Sequence, residues 1–271
     1  MSKCCAIAFH QTGIVLSGMG RSKVLQLCAT TSELEQCVSQ QGLRSKAVVG
    51  VLGPSDYQLL RIKRPTVQAN EMMSAILWQE QARFSLSVDQ LAIDYVECPS
   101  ITNAEKRLYV VAVAKRTLRD RYQALLGAHV QPMKITLPEF MYAHYSAKKY
   151  ASESVVIWVN YFQDAPQVFA FYQQELIATL KLPKIDSAVM SEACLTALNL
   201  FYLAEVKAFS AAPLWVMNGL FTIEAAMLTQ LNGRVAWTIS EAESDSFYSQ
   251  ALKRYNHSTI SHAYYGMMAN E

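Results

Sequence analysis

The sequence predicts an α/β chain of two lobes, each opening on a strand meander, with a small α/β unit inserted into the first. Three observations carry this reading. Residues 5–28 set apolar strands around polar turns, and the same pattern returns in residues 154–181. After each meander, helical and strand periodicities alternate. The chain has 271 residues, 52% of them hydrophobic and 17% charged, which suits a buried core and not a disordered chain.

In the first lobe, Ile7-Ala8-Phe9 and Ile14-Val15-Leu16 flank the turn His10-Gln11-Thr12-Gly13, and residues 23–28 supply a third strand. Thr31 is the expected cap of a short helix with Leu34, Cys37 and Val38 at helical spacing, and Gly42 its stop. Residues 47–52 form a continuous apolar run, as in a strand buried on both faces. Residues 57–62 are expected as its neighbour after the turn Gly53-Pro54-Ser55-Asp56.

Pro65 marks a change. Residues 71–84 read as a helix with Met72, Met73, Ile76, Leu77 and Phe84 on one broad face. Residues 91–97 and 107–115 read as strands. Thr117-Leu118-Arg119-Asp120 has a capping-box pattern, opening a helix with Leu118, Tyr122, Leu125 and Leu126 inward and Gly127 at its close. Residues 132–137 end this unit as a strand, and residues 138–149 form a helix towards the second lobe. There, strands are expected at 154–161, 168–172 and 175–181. Asp186 is the expected cap of the longest helix, with Val189, Met190, Ala193, Cys194, Ala197, Leu198, Phe201 and Tyr202 in an i, i+3, i+4 pattern. A helix so apolar is expected between layers. Strand 214–218, helix 222–231, strand 234–239 and a helix near 261–269 complete the chain.

The expected division is therefore 1–65 plus 137–152 as the core of the first lobe, 66–136 as the insert, and 153–271 as the second lobe. Two halves with this element order suggest the actin-like (ribonuclease H-like) duplication.

Composition excludes several function classes. The net charge of +2 is scattered, and Arg61-Ile62-Lys63-Arg64, the nearest approach to a basic stripe, reads as a solvated strand end, so nucleic acid is not an expected partner. No apolar run approaches the ~20 residues of a membrane helix, and residues 1–5 lack the pattern of a signal peptide. The expected location is cytoplasmic, with no direct membrane insertion. The six cysteines form no CxxC, which argues against zinc, and Cys28, Cys98 and Cys194 read as buried thiols. Asp94 is an acid within a strand, read as an edge-strand hydrogen-bond acceptor before a base.

An actin-like ATPase holds phosphates in two hairpin turns, where Gly admits backbone N–H groups and Asp positions Mg²⁺. Here the first turn has one Gly and no carboxylate, at Gln11, Thr12 and Gly13. The second, after Asn160, has Asp164 but no Gly, and Pro166 removes a donor. The third position, Asn218-Gly219, has a single Gly. All three fit the architecture and have lost the chemistry. No catalytic residue or metal site is expected, and no bound ATP or Mg²⁺. The rival reading is an ATPase with non-standard phosphate loops.

Residues 48–99 contain Arg64-Pro65, Glu71, Ile76, Trp78, Gln79 and Asp94-Tyr95. This run resembles the type IV pilus assembly protein family of PilM, and more closely its MshI-type relatives of mannose-sensitive haemagglutinin (MSHA) pilus biogenesis. "RLYVVAVAKRTLRDRYQALLGAHVQPMKITLPEF" continues the likeness, and Ala263 and Gly266 match its closing helix. The likeness covers most of residues 45–145; elsewhere it is architectural. It implies an actin-like fold and a groove between the first subdomain and the insert. That groove would dock the cytoplasmic N-terminal peptide of a bitopic inner-membrane pilus protein, through Leu60, Ile62, Arg64, Met73 and Trp78. The resemblance also implies a link to the assembly ATPase and a position peripheral to the inner membrane. PilM-type members bind ATP; this chain departs from them at every nucleotide motif, and about 85 residues after Pro183 imply a reduced second lobe. The cytoplasmic domain of a type II secretion platform protein is a further alternative, disfavoured because such proteins carry a transmembrane helix.

Overall fold

A computed structural model describes residues 5–10, 13–17, 25–99, 106–160, 166–173, 175–182, 190–218 and 229–237. Two five-stranded sheets with the same strand order organise these residues. In the first, β1 (Cys5–His10), β2 (Gly13–Ser17) and β3 (Leu25–Cys28) form an antiparallel meander. Two further strands, β4 (Ala47–Val51) and β8 (Gln131–Thr136), run parallel to β1, giving the order β3-β2-β1-β4-β8. The second sheet repeats this plan. Its meander is β9 (Val155–Asn160), β10 (Gln167–Tyr172) and β11 (Glu175–Lys181). Its parallel strands are β12 (Leu214–Asn218) and β13 (Arg234–Trp237).

Helices cover both faces of the first sheet. Its outer face packs under α1 (Thr31–Gln40) and α3 (Lys115–Gly127), through Leu34, Cys37, Val38 and Leu125. The cap of α1 is Thr30, not Thr31: its hydroxyl accepts from Glu33 N–H at 3.2 Å. Gly42 follows with φ +64°, a left-handed conformation that glycine adopts without strain. Between the sheets lies α4 (Pro138–Lys149). Its Met141, Tyr142 and Tyr145 join Ala8, Val49 and Val51 of the first sheet to Val156, Trp158 and Phe169 of the second. Trp158 Nε1 donates to Ser146 Oγ at 2.5 Å, so the largest interlobe side chain is also pinned by a hydrogen bond.

The outer face of the second sheet packs against α5 (Glu192–Phe201), continued by a π-helical turn, Tyr202–Val206. This helix starts at Ser191, whose side chain accepts from Cys194 N–H; Asp186 lies outside the described residues. Its 10 α-helical and 5 π-helical residues together outrun the 13 of α3, as expected. It covers one face only, leaving Leu200 and Leu203 61% and 53% exposed.

A third, three-stranded sheet has the order β5-β7-β6, from β5 (Tyr57–Lys63), β6 (Leu91–Glu97) and β7 (Arg107–Ala114). Two strand placements therefore differ from expectation. Residues 57–62 pair with β7 and not with β4, and residues 132–137 pair with β4 and not within the insert. An alternating strand shows which face is apolar but does not name its partner. The period-2 geometry of the strands then divides the side chains. Ile62, Leu108, Val110 and Ala112 face α2 (Met72–Glu80), while Leu59, Val111 and Val113 face the two lobes. Three-residue 3₁₀ turns flank α2 on both sides, Ala69–Glu71 and Gln81–Arg83, where one longer helix was expected. Among the described residues, the second lobe carries no counterpart of this small sheet.

Candidate functional site

The carboxyl ends of β9 and β12 bring two of the expected nucleotide-site positions together. Asn218 Nδ2 donates to Asn160 Oδ1 at 2.7 Å, and Tyr142 Oη lies 3.4 Å from the same nitrogen. Both asparagines are buried. Asn160 Nδ2 has no partner among the described residues. At the matching end of β1, His10 stands opposite Gly13 in the antiparallel register. Gln11, Thr12, Asp164 and Gly219 lie outside the described residues. At these strand ends the two amides share one hydrogen bond, and the Asn160 amide nitrogen is the donor left over.

The expected docking residues separate into two groups. Leu60 and Ile62 point under α2, and Ile62 is buried with Met72, Ile76 and Leu108, so both serve the insert's core. Arg64 Nε donates to Glu97 Oε1 at 3.0 Å. Its neighbour Arg61 turns the other way and pairs with Glu205 of the π-turn. The basic run thus splits across two faces and makes no stripe. Met73 is half-buried, and Trp78 is 77% exposed on α2. Asp94 is exposed and accepts from Tyr95 N–H at 2.8 Å, as its edge-strand reading expects.

The structure adds a groove that periodicity did not single out. The capping box at Thr117 does not start α3; the helix begins at Lys115, with Ala114 before it. Of the four residues expected inward, Leu125 is buried, whereas Tyr122 and Leu126 are 43% and 41% exposed. Leu118 and Tyr122 instead line a groove of about 610 Å³ with Pro132, Met133 and Ile135 of β8. Lys115, Arg119 and Lys134 border it, and among the described residues no acid lines it. Among the described residues, strand β8 ends the first sheet's order and is its edge strand. A register shift leaves Met133 between Pro132, opposite Val48, and Lys134, opposite Val49, and Met133 is 63% exposed.

The groove's walls are held at three points. Lys115 Nζ donates to Asp89 O of the insert at 2.7 Å. Arg121 binds Asp56 in bidentate fashion, at 3.1 and 2.9 Å, and lies over the Phe9 ring at 5.1 Å. Leu118 and Ile135 pack on the cluster of Leu52, Val113 and Leu137 where the insert meets the first lobe. The signals in the sequence were Leu118 and Tyr122 set among the charged residues of α3, together with Met133 in β8.

A smaller cleft of about 230 Å³ lies between β5 and β10–β11, lined among others by Tyr57, Leu59, Glu139, Phe169 and Lys181. Glu139, in the first turn of α4, is buried. Tyr57 Oη lies 2.7 and 2.8 Å from its two carboxyl oxygens. Burial pushes the carboxyl up to about 7, against the pull of Tyr57 and Lys181. A lone buried acid held by a tyrosine reads as part of the junction between the insert and α4.

No protein-family model matches the chain, and no curated protein matches it. Solved structures do. The chain is similar to one from a PilM–PilN type IV pilus biogenesis complex, with a TM-score of 0.70 and 12% identity, over 99% of this chain and 98% of that one. It is similar to the cytoplasmic domain of EpsL, an inner-membrane component of the type II secretion system of Vibrio cholerae. There the TM-score is 0.55 at 11% identity, over 93% and 96% of the two chains. A Bacteroides thetaiotaomicron protein with an actin-like ATPase fold and unknown function gives 0.52 at 12% identity, over 94% and 97%. At these identities the likeness establishes the fold, and the fold is actin-like.

Proposed function

We propose that this chain is a non-catalytic scaffold of type IV pilus assembly, of the MSHA type. It docks the cytoplasmic N-terminal tail of a bitopic inner-membrane pilus protein and links it to the assembly ATPase. The observation that supports this reading best is the α3–β8 groove. It combines an edge strand, an apolar floor and a basic rim, which together suit an extended peptide. Such a peptide gains main-chain hydrogen bonds from β8 and places alternate side chains against Leu118, Tyr122 and Met133. The rim of Lys115, Arg119 and Lys134 favours acidic residues in the tail. Trp78, exposed on α2, offers a second apolar contact on the insert. Among the described residues no helix is long and apolar enough to cross a membrane, so in this reading the partner supplies the membrane attachment.

The sequence of the three turns, with one Gly in the first, Pro166 in the second and the single Gly219 in the third, favours a scaffold without nucleotide turnover. The test runs both readings side by side. The chain is incubated with the cytoplasmic peptides of the pilus inner-membrane proteins, and separately with Mg-ATP. Retention of one peptide, with no melting shift and no phosphate release from ATP, is the expected result. A shift of several degrees with phosphate release above background would establish the ATPase reading instead.

A further inference from the structure

The two halves of the fold place α1 and α5 in the same position, each running from the last strand of a meander to the next parallel strand. Their outward faces differ in chemistry. On α1, Ser32, Glu33, Gln36, Ser39 and Gln40 are exposed, as expected of a helix facing water. On α5 and its π-turn, the exposed residues are Glu192, Ala193, Thr196, Leu200, Leu203 and Ala204, followed by Lys207. Ala193, Thr196, Leu200 and Leu203 recur at intervals of three, four and three, the spacing of a helix–helix seam. Glu205, the acid within this stretch, turns aside to pair with Arg61 of β5. The row is left uncharged between one acid at its start and one base at its end.

We propose that this row is a homodimer seam, in which α5 packs antiparallel against α5 of a second copy of this chain. A two-fold axis beside Leu200 makes the surface self-complementary. It sets Leu200 against Leu200 and brings Leu203 beside the small residues Thr196 and Ala197 of the other copy. The ends also match: Glu192 of one copy meets Lys207 of the other, twice over. A parallel pairing would set Glu192 against Glu192 and Lys207 against Lys207, so charge selects the antiparallel arrangement. Contiguous exposed apolar patches rimmed by polar residues mark interaction sites. The α3–β8 groove involves none of these residues and stands independently of the dimer.

Sedimentation velocity on the full chain across a concentration series tests this. The wild type should sediment as a dimer at tens of micromolar. Leu200→Glu should sediment as a monomer with an unchanged melting temperature. Lys207→Glu should weaken the dimer at least tenfold, and the double variant Glu192→Lys/Lys207→Glu should restore it to within about threefold. The charge swap acts at solvent-exposed positions and remains informative if Leu200→Glu folds poorly. A wild type that is monomeric at every concentration overturns the proposal, as does a dimer that persists in Leu200→Glu. Where Leu200→Glu folds poorly, a dimer that Lys207→Glu does not weaken overturns it as well.

Discussion

At the residue scale, Glu139 gives the fold a definite pH dependence. Its carboxyl is pushed from 4.5 to about 7 by burial. The folded chain therefore holds this proton more tightly than the unfolded chain does. The contribution is fully favourable below about pH 4.5, and is lost as pH rises through about 7. A shift of that size corresponds to roughly 3 kcal/mol. Glu139→Gln keeps a group able to bond Tyr57 and carries no charge. Urea denaturation at pH 5 and pH 8 should show the wild type losing stability relative to this variant on going to pH 8, by roughly 2–3 kcal/mol. Equal pH slopes for the two proteins would mean that Glu139 ionises freely in the folded chain. Nothing in the sequence marked this residue: an acid one position after a helix-opening proline is an ordinary first-turn residue, and only the packing of β5 over α4 buries it. The Asn160–Asn218 pair was easier to foresee, because strand ends that face a lobe interface can be located from apolar runs alone.

At the element scale, strands were legible where apolar runs are continuous, as in β4, β9 and β12, and their partners were not. The pattern of β5 fits a half-buried strand beside β4 or beside β7 equally well. Only the long return through α2 and β6 decides for β7. The same ambiguity misplaced α3, because Leu118, Tyr122, Leu125 and Leu126 keep helical spacing whether the face they share is core or groove. A paired substitution separates core from surface on the insert. Ile62→Ala removes a side chain buried under α2 and should cost about 2–4 kcal/mol in chemical denaturation. Trp78→Ala should stay within about 0.5 kcal/mol of the wild type, since Trp78 is 77% exposed. A large loss from Trp78→Ala would place it in a packed core and remove it from the proposed docking surface.

At the scale of the whole molecule, two sheets of identical order share α4, and the insert leans on both lobes through Leu59, Tyr109 and the Arg61–Glu205 pair. The duplicated meander was readable because each half needs the same apolar strands to build its sheet. The groove was not, because it forms where α3 and β8 of the first lobe meet the base of the insert, elements that chain order had assigned to one unit. This arrangement suits the proposed scaffold: a shared interlobe core for rigidity, and the proposed docking groove at a sheet edge. The most direct test is calorimetric titration of the pilus protein's cytoplasmic peptide into the wild type and into Met133→Asp. Met133 is exposed, so the variant should fold normally, while an acid at the centre of the groove repels an acidic, apolar peptide. The expected result is wild-type binding in the micromolar range and at least a tenfold loss in the variant, about 1.4 kcal/mol or more. Peptide binding of equal strength in both proteins would contradict the account, because the occupant would then lie elsewhere on the fold.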